Sequence, residues 1–378
     1  MSQTEFLSVE LRQAFIRLIA KHTGLEIRER DRTALSQKIF LRMKALKLLF
    51  PLHYYQLLES KTLDSYQEWQ KLIIDLTNLE SYFFRDKEQF NLLRNHILPE
   101  LIQRKQDRKT IRICSAGCST GEEPYSLAIL LKELIPNVEQ WNLTILGIDI
   151  NQDALEKAQI GIYRAWSFRT VDPEIKQGYF KLINHQYQIV QPIKEMVKFE
   201  AVNLVNDPFP QPNSEMRDFD LIICRNVFIY FDQSAIAKVL DKFYLTLQPL
   251  GYLITGHAEL HDQNLSQFQT RVFAESLIYQ RQADHVLSSP SNLVIGSSTG
   301  SLITQPNNFL TKEFSLEEAN NSLQTSPEQT NINLQQAALN LLKQLPPDTK
   351  IAKLGNLTAA ELILQVETAL KLSNGESK

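Results

Sequence analysis

Between residues 7 and 76 the apolar positions recur at helical spacing. Leu11, Phe15, Leu18, Ile19 and His22 share one face, and Gly24 closes that stretch. A second helix is predicted over 32–48, with Leu35, Ile39, Met43 and Leu46 on its apolar side, and a further one around Trp69, Leu72, Ile73 and Leu76. Residues 1–77 therefore read as a small all-helical domain, and 78–108 as a link plus the first helix of the next domain. From Lys109 the pattern changes to short, almost wholly apolar runs separated by helical stretches. The runs fall at 111–114, 144–149, 219–224 and 251–255, with a further sheet strand at 197–201 and the last strands expected within 271–280. Continuous apolar runs of that length suit strands covered on both faces, so 109–282 reads as an α/β domain around a largely parallel sheet. Residues 163–196 break the rhythm: apolar and polar positions alternate there, which predicts an inserted sub-domain of small antiparallel strands. Beyond Ala283 the apolar pattern fades. Ser, Asn, Gln and Thr dominate to residue 331, which reads as a disordered polar linker. Helical spacing returns in 332–345 and 359–372, so the tail, 332–378, is read as helical or weakly structured.

Composition narrows the classes. A chain of 378 residues with 43% hydrophobic content has room for two domains with ordinary cores. The net charge of -3 gives no general attraction to nucleic acid or anionic membranes. The three cysteines, Cys114, Cys118 and Cys224, lie in or beside predicted buried strands; they make no disulfide framework and suit a reducing compartment. Cys114 and Cys118 lack the partners a tetrahedral metal site needs, so no metal is expected. No apolar run is long enough to span a bilayer, and the N-terminus lacks the basic region and apolar core of a signal peptide. A cytoplasmic protein without membrane insertion, and a monomer, is expected. One local charge excess stands out: Arg28, Arg30, Arg32, Lys38, Arg42, Lys44 and Lys47 face only Glu29 and Asp31. This is either a solvated helix face or a docking face for an acidic partner, with Arg32, Lys38 and Arg42 as the candidate contacts. Nucleic acid ranks last, because no aromatic residues interleave with the patch.

The candidate chemistry centres on IRICSAGCSTGEEPYSLAILLKEL, a strand, a glycine turn and a helix. Open α/β sheets bind nucleotide-like ligands at such turns. The dinucleotide and triphosphate glycine motifs are both absent, and no Lys or Arg lies between Cys114 and Leu131. Glu122 and Glu123 suit the start of a helix but would repel a pyrophosphate. They suit a nucleoside ligand carrying positive charge, such as S-adenosyl-L-methionine with its sulfonium and ammonium. On these residues alone, an ordinary acidic helix start is an equal reading. Asp149 ends the second strand, where a carboxylate can accept both ribose hydroxyls or cap the next helix. Arg225 and Asn226 end the 219–224 strand and point to the crevice. Tyr82, Phe83 and Phe84, in the LTNLESYFFRD link, either close over a ligand or join two domains.

In combination, SYFFRD, STGEEPYSLA, EKAQIGIYR and FDLIICRNVFIYFD resemble the CheR-type chemotaxis receptor glutamate O-methyltransferases, from about Phe6 to Arg281. The resemblance implies a helical N-terminal domain followed by a Rossmann-like S-adenosylmethionine-dependent methyltransferase sheet with a small inserted antiparallel β sub-domain. It implies methylation of glutamate side chains on the cytoplasmic helices of chemoreceptors. By matching motif, Ser81, Arg85 and Gly117 stand at cofactor positions, Glu122 at the methionine end and Asp149 at the ribose. Asn203 and Leu204 border the adenine, and Arg225 and Asn226 line the crevice. The family's asparagine before the Glu80-Ser81 pair is displaced here: Leu79 stands in its place and Asn78 one position earlier. In some members the inserted sub-domain grips a receptor tail peptide. Arg225 and Tyr230 offer donors where amine methyltransferases carry acceptors, which suits a carboxylate substrate and makes them the catalytic candidates. Two alternatives remain: a cofactor-binding signalling module without turnover, and a small-molecule O-methyltransferase.

Overall fold

The structure, a computed structural model, describes residues 7–211, 213–283, 343, 350–351 and 357–358. The chain divides into two compact units, Met1–Pro290 and Ser291–Lys378.

The first unit opens with four helices: α1 (Val9–Thr23), α2 (Arg32–Ala45), α3 (Pro51–Glu59) and α4 (Leu63–Leu76). Local chemistry sets their ends. Ser8 caps α1 by accepting the Leu11 N–H, Thr62 caps α4 by accepting the Ser65 N–H, and Pro51 occupies the first turn of α3. Their inward stripes, Phe15, Ile19, Leu35, Ile39, Met43, Tyr54, Trp69 and Leu72, form one buried cluster. α2 ends earlier than its apolar spacing predicts. Leu46 falls beyond the helix and is exposed, so it is no part of that stripe. His22 packs flat on Trp69, with ring centroids 3.9 Å apart, as a helix-end residue rather than a ligand.

Next come α5 (Lys87–Leu92) and α6 (Leu98–Arg104), followed by β1 (Thr110–Ala116), α7 (Glu122–Leu134), β2 (Asn142–Asp149) and α8 (Gln152–Ile160). The inserted segment holds β3 (Ile162–Tyr163), α9 (Pro173–Tyr179), β4 (Phe180–Ile183), β5 (Gln186–Ile189) and α10 (Gln191–Lys194). The main sheet resumes with β6 (Val197–Ala201), β7 (Phe219–Cys224), α11 (Gln233–Thr246), β8 (Leu247–Thr255), β9 (Phe268–Val272) and β10 (Leu277–Arg281). Its seven strands run in the order β6-β2-β1-β7-β8-β10-β9. β6, β2, β1, β7 and β8 are mutually parallel, and β10 runs antiparallel to both its neighbours. The order reverses between β1 and β7, which opens a crevice at their carboxyl ends. All six residues of β7 are buried, because helices cover both faces of the sheet. Alternate residues supply the two cores, Leu221 and Ile223 one side and Ile222 and Cys224 the other, while Phe219, across a register shift, joins the second.

The expected antiparallel insertion is present as a sheet of three strands, order β3-β5-β4. Short helices α9 and α10 accompany it, too brief to leave a periodic signature. In the second unit, β11 (Lys350–Ile351) pairs antiparallel with β12 (Leu357–Thr358). The polar linker expected at 283–331 and the helical spacing of the tail at 332–345 and 359–372 lie outside the described residues, apart from Ala283 and Lys343.

Candidate active site

The glycine turn after β1 is shaped by backbone demands. Gly117 sits at φ 70°, and a Cβ there would lie 2.3 Å from Val227 Cγ2. A side chain is thus excluded on two counts, and the turns after β1 and β7 meet. Ser119 and Asn226 also adopt positive φ, 51° and 58°, although neither is glycine. Such strained positions gather where a backbone is held for function.

A cavity opens at this point. Thr23, Leu25, Ile73 and Leu76 from the helical part border it, as do residues 77–82 and Arg85 of the link. The sheet supplies Gly117, Ser119, Glu123, Asp149, Ile150, Val202, Asn203, Leu204, Arg225, Asn226, Val227 and Tyr230. The link crosses it as a strap. Leu79 O accepts the Ser119 hydroxyl at 3.2 Å, Asn78 Nδ2 donates to the Tyr230 hydroxyl at 3.2 Å, and Asn78 Oδ1 accepts the Glu80 N–H. Displaced by one position, Asn78 therefore stays at the cavity and ties the strap to Tyr230. Ser81 and Arg85 line it too, and Arg85 Nη1 donates to Glu80 O. Phe83 is wholly buried and stacks on Phe168 of the insertion at 5.0 Å, while Tyr82 borders the cavity. The aromatic strip thus ties the link to the insertion through Phe83 and brings Tyr82 to the cavity.

Asp149 ends β2 facing the cavity. Its Oδ1 accepts the Asn151 N–H and its Oδ2 the Ser119 N–H, each at 2.8 Å. Burial pushes its carboxyl up, and these bonds pull it back toward the anion. It is not the helix cap: Asn151 caps α8, accepting the Ala154 N–H. Asn203 borders the cavity with its amide committed, Nδ2 to His22 O and Oδ1 to the Val205 N–H. Leu204, Val202 and Ile150 form an apolar wall. Behind it, Lys242 Nζ donates to the carbonyls of Leu204, Val205 and Asp207 at 2.8–2.9 Å.

Three expectations need correction. Glu122 does not line the cavity. It is buried, accepting hydroxyls from Thr120 at 2.7 Å and Ser167 at 3.1 Å, and the neighbouring Glu123 lines the cavity instead. Arg225 does not offer a free cation to an incoming carboxylate. Its Nε donates to Glu123 at 2.7 Å and its Nη1 to Arg85 O and Gln89 Oε1, inside a shell that leaves its side chain 4% exposed. Arg42 is not a docking contact. It forms a two-pronged pair with buried Glu68, at 2.9 and 2.8 Å, and Tyr54 donates to the same carboxylate. Arg32 makes a 3.5 Å pair with Glu29 and is 40% exposed, and Lys38 is half-buried. Glu123 was anticipated only as one of two acids at the helix start, and Ser119, Gln89, Lys242 and the borrowed helical residues Thr23 and Leu25 were not singled out at all.

The lining suits S-adenosylmethionine. Each oxygen of Asp149 keeps a lone pair for a vicinal diol. The apolar wall suits a purine face, and Glu123 and Arg85 supply opposite charges for an amino-acid zwitterion. Among the described residues, Arg85 and Arg225 are the only Lys or Arg side chains in the lining, and Arg225 is ion-paired, which is too little for a polyphosphate. The fold and this donor set together define an S-adenosylmethionine-dependent methyltransferase of the Rossmann-like class. Comparison with known proteins narrows that class. The profile "CheR methyltransferase, SAM binding domain" matches residues 79–276. A chemotaxis protein methyltransferase of Salmonella typhimurium is 31% identical over 276 residues, covering 72% of this chain and 91% of its own. One from Escherichia coli is 32% identical over 259 residues, with 67% and 84% covered. Chemotaxis protein methyltransferase 2 of Vibrio cholerae is 36% identical over 216 residues, with 57% and 74% covered. This chain belongs to the CheR methyltransferase family.

Proposed function

We propose that this protein transfers a methyl group from S-adenosylmethionine to glutamate side chains on the cytoplasmic helices of chemoreceptors, forming glutamyl methyl esters. The single observation that carries the reading is the cavity lining among the described residues: opposed charges and a diol acceptor, with no histidine among them. A glutamate carboxylate, with a reference pKa of about 4.3, is already a nucleophile at neutral pH, so the acceptor needs no deprotonation.

Bound cofactor supplies an electrophilic methyl on a cationic sulfur. The work left to the chain is to bind, to align and to exclude water. In this reading Asp149 holds the ribose hydroxyls, Ile150, Val202 and Leu204 border the adenine, and Glu123 and Arg85 take the ammonium and carboxylate of the methionine end. The strap of residues 78–85 keeps water out. Tyr230 is 39% exposed, and its hydroxyl orients the acceptor carboxylate, with Asn78 fixing that hydroxyl. Alignment of this kind can supply roughly 7–11 kcal/mol of the barrier. Arg32 and Lys38 remain the candidate contacts for an acidic receptor helix.

The test incubates the purified chain with methyl-labelled cofactor and receptor-containing membranes, then applies mild alkali. A glutamyl ester releases volatile labelled methanol. Label that stays with the protein as N-methyl, or no transfer at all, contradicts the proposal.

A further inference from the structure

Beyond the lining itself, one buried acid acts on it from behind. Glu259 follows β8 in the stretch Gly256-His257-Ala258-Glu259 and is 7% exposed. Its Oε2 accepts the Gly256 N–H at 2.6 Å, and its Oε1 the Ile229 N–H at 3.4 Å. Burial pushes its carboxyl above the usual glutamate range, and the N–H groups of Gly256, Asn226, Ile229 and Val227 that face it pull it back toward the anion. The approach is built in: a Cβ on Gly256 would lie 2.5 Å from Glu259 Oε2. One carboxylate therefore gathers the backbone donors of a short turn whose first residue sits at positive φ. That turn runs from Asn226 to Ile229 and ends on Tyr230, and Asn226, Val227 and Tyr230 all line the cavity.

We infer that Glu259 is a positioning residue for methyl transfer, anchoring the backbone of residues 226–229 so that the Tyr230 hydroxyl and the Asn226 side chain face the acceptor. The inference rests on the methyltransferase reading above. Glu259 touches neither ligand, since it is absent from the cavity lining. Its effect belongs to the aligned state and so to turnover. The cofactor-side contacts Asp149, Val202 and Leu204 stand on other elements.

The test uses the full chain with Glu259→Ala and Glu259→Gln. S-adenosylhomocysteine binding is measured by calorimetry, and initial rates are measured on receptor-containing membranes. The wild type must bind and transfer; failure there overturns the methyltransferase reading and this inference with it. Given a working wild type, Glu259→Ala should lower kcat about tenfold to a hundredfold, the scale of a small misplacement. KM for the receptor and Kd for S-adenosylhomocysteine should change little. Glu259→Gln, which keeps one acceptor oxygen, should recover part of the rate. Amide exchange at Val227 and Ile229 should rise in the same order. Unchanged kcat in Glu259→Ala overturns the inference, as does a loss of kcat and binding in equal proportion that tracks the unfolded fraction.

Discussion

A single helical step separates Glu122 from Glu123 and decides which carboxylate meets the cavity. One residue turns a side chain by about 100° around the axis, so adjacent acids face different surroundings. Glu122 turns toward Thr120 and Ser167, Glu123 toward Ser115 and Arg225. The sequence shows both acids and their place at a helix start, but not the helix's rotation, which is fixed by packing of Leu127, Ile129 and Leu131 under the sheet. Asp149 was legible for the opposite reason: a strand end has only one crevice to face. It also carries a pH prediction. Burial raises its carboxyl above the usual aspartate range. The anion proposed to accept the ribose hydroxyls is therefore lost as pH falls through that raised value. S-adenosylhomocysteine affinity should drop on acidification, beginning above the pH at which an ordinary aspartate titrates. Asp149→Ala should weaken binding at pH 7 about tenfold to a hundredfold, the loss of hydrogen bonds to a charged group, and remove that acid limb. Calorimetry from neutral pH downward, as far as the chain stays folded, checks both.

At the scale of elements, the basic helix α2 separates into two roles. Arg42 turns inward to a buried carboxylate, so Arg42→Ala should destabilise the fold by about 3–5 kcal/mol, the cost of stranding Glu68. Urea unfolding measures it. Lys38→Glu should leave the unfolding curve nearly unchanged while lowering receptor methylation at low salt, an effect that fades as salt screens it. Charge counting made both residues docking contacts, because Glu68 lies 26 residues away and its pairing is a tertiary fact. The loop after β6 offers a parallel case. Lys242 ties three of its carbonyls from α11, so Lys242→Met should loosen the Leu204 wall and raise Kd for S-adenosylhomocysteine. Normal affinity in that variant would show that the loop holds itself. Strand elements were the most readable part: β6 and β7 fall on the strands expected at 197–201 and 219–224. The helices α9 and α10 were not, being too short for a period to show.

On the scale of the molecule, the cavity belongs to no single layer. The helical part lends Thr23, Leu25, Ile73 and Leu76, and its chain lies along the turn after β7. The Glu26 N–H donates to Tyr230 O and Asn203 reaches His22 O, so the borrowed wall is stitched to the sheet on both sides. Sequence patterning reads each layer from its own period and is silent on such borrowing, which is why Asp149, Asn203, Leu204, Arg225 and Asn226 were anticipated and Thr23, Leu25, Ile73 and Leu76 were not. Among the described residues, no helix is long and apolar enough to cross a membrane. What the whole assembly presents is a crevice at the β1/β7 reversal, roofed by a strap and suited to a positively charged adenosyl ligand.

Calorimetry on the intact chain, titrated in parallel with S-adenosylhomocysteine, NAD and ATP, tests that claim most directly. Saturable heat from S-adenosylhomocysteine alone, with affinity weakened by Asp149→Ala, is the predicted result. Binding of NAD or ATP with no heat from S-adenosylhomocysteine would contradict it.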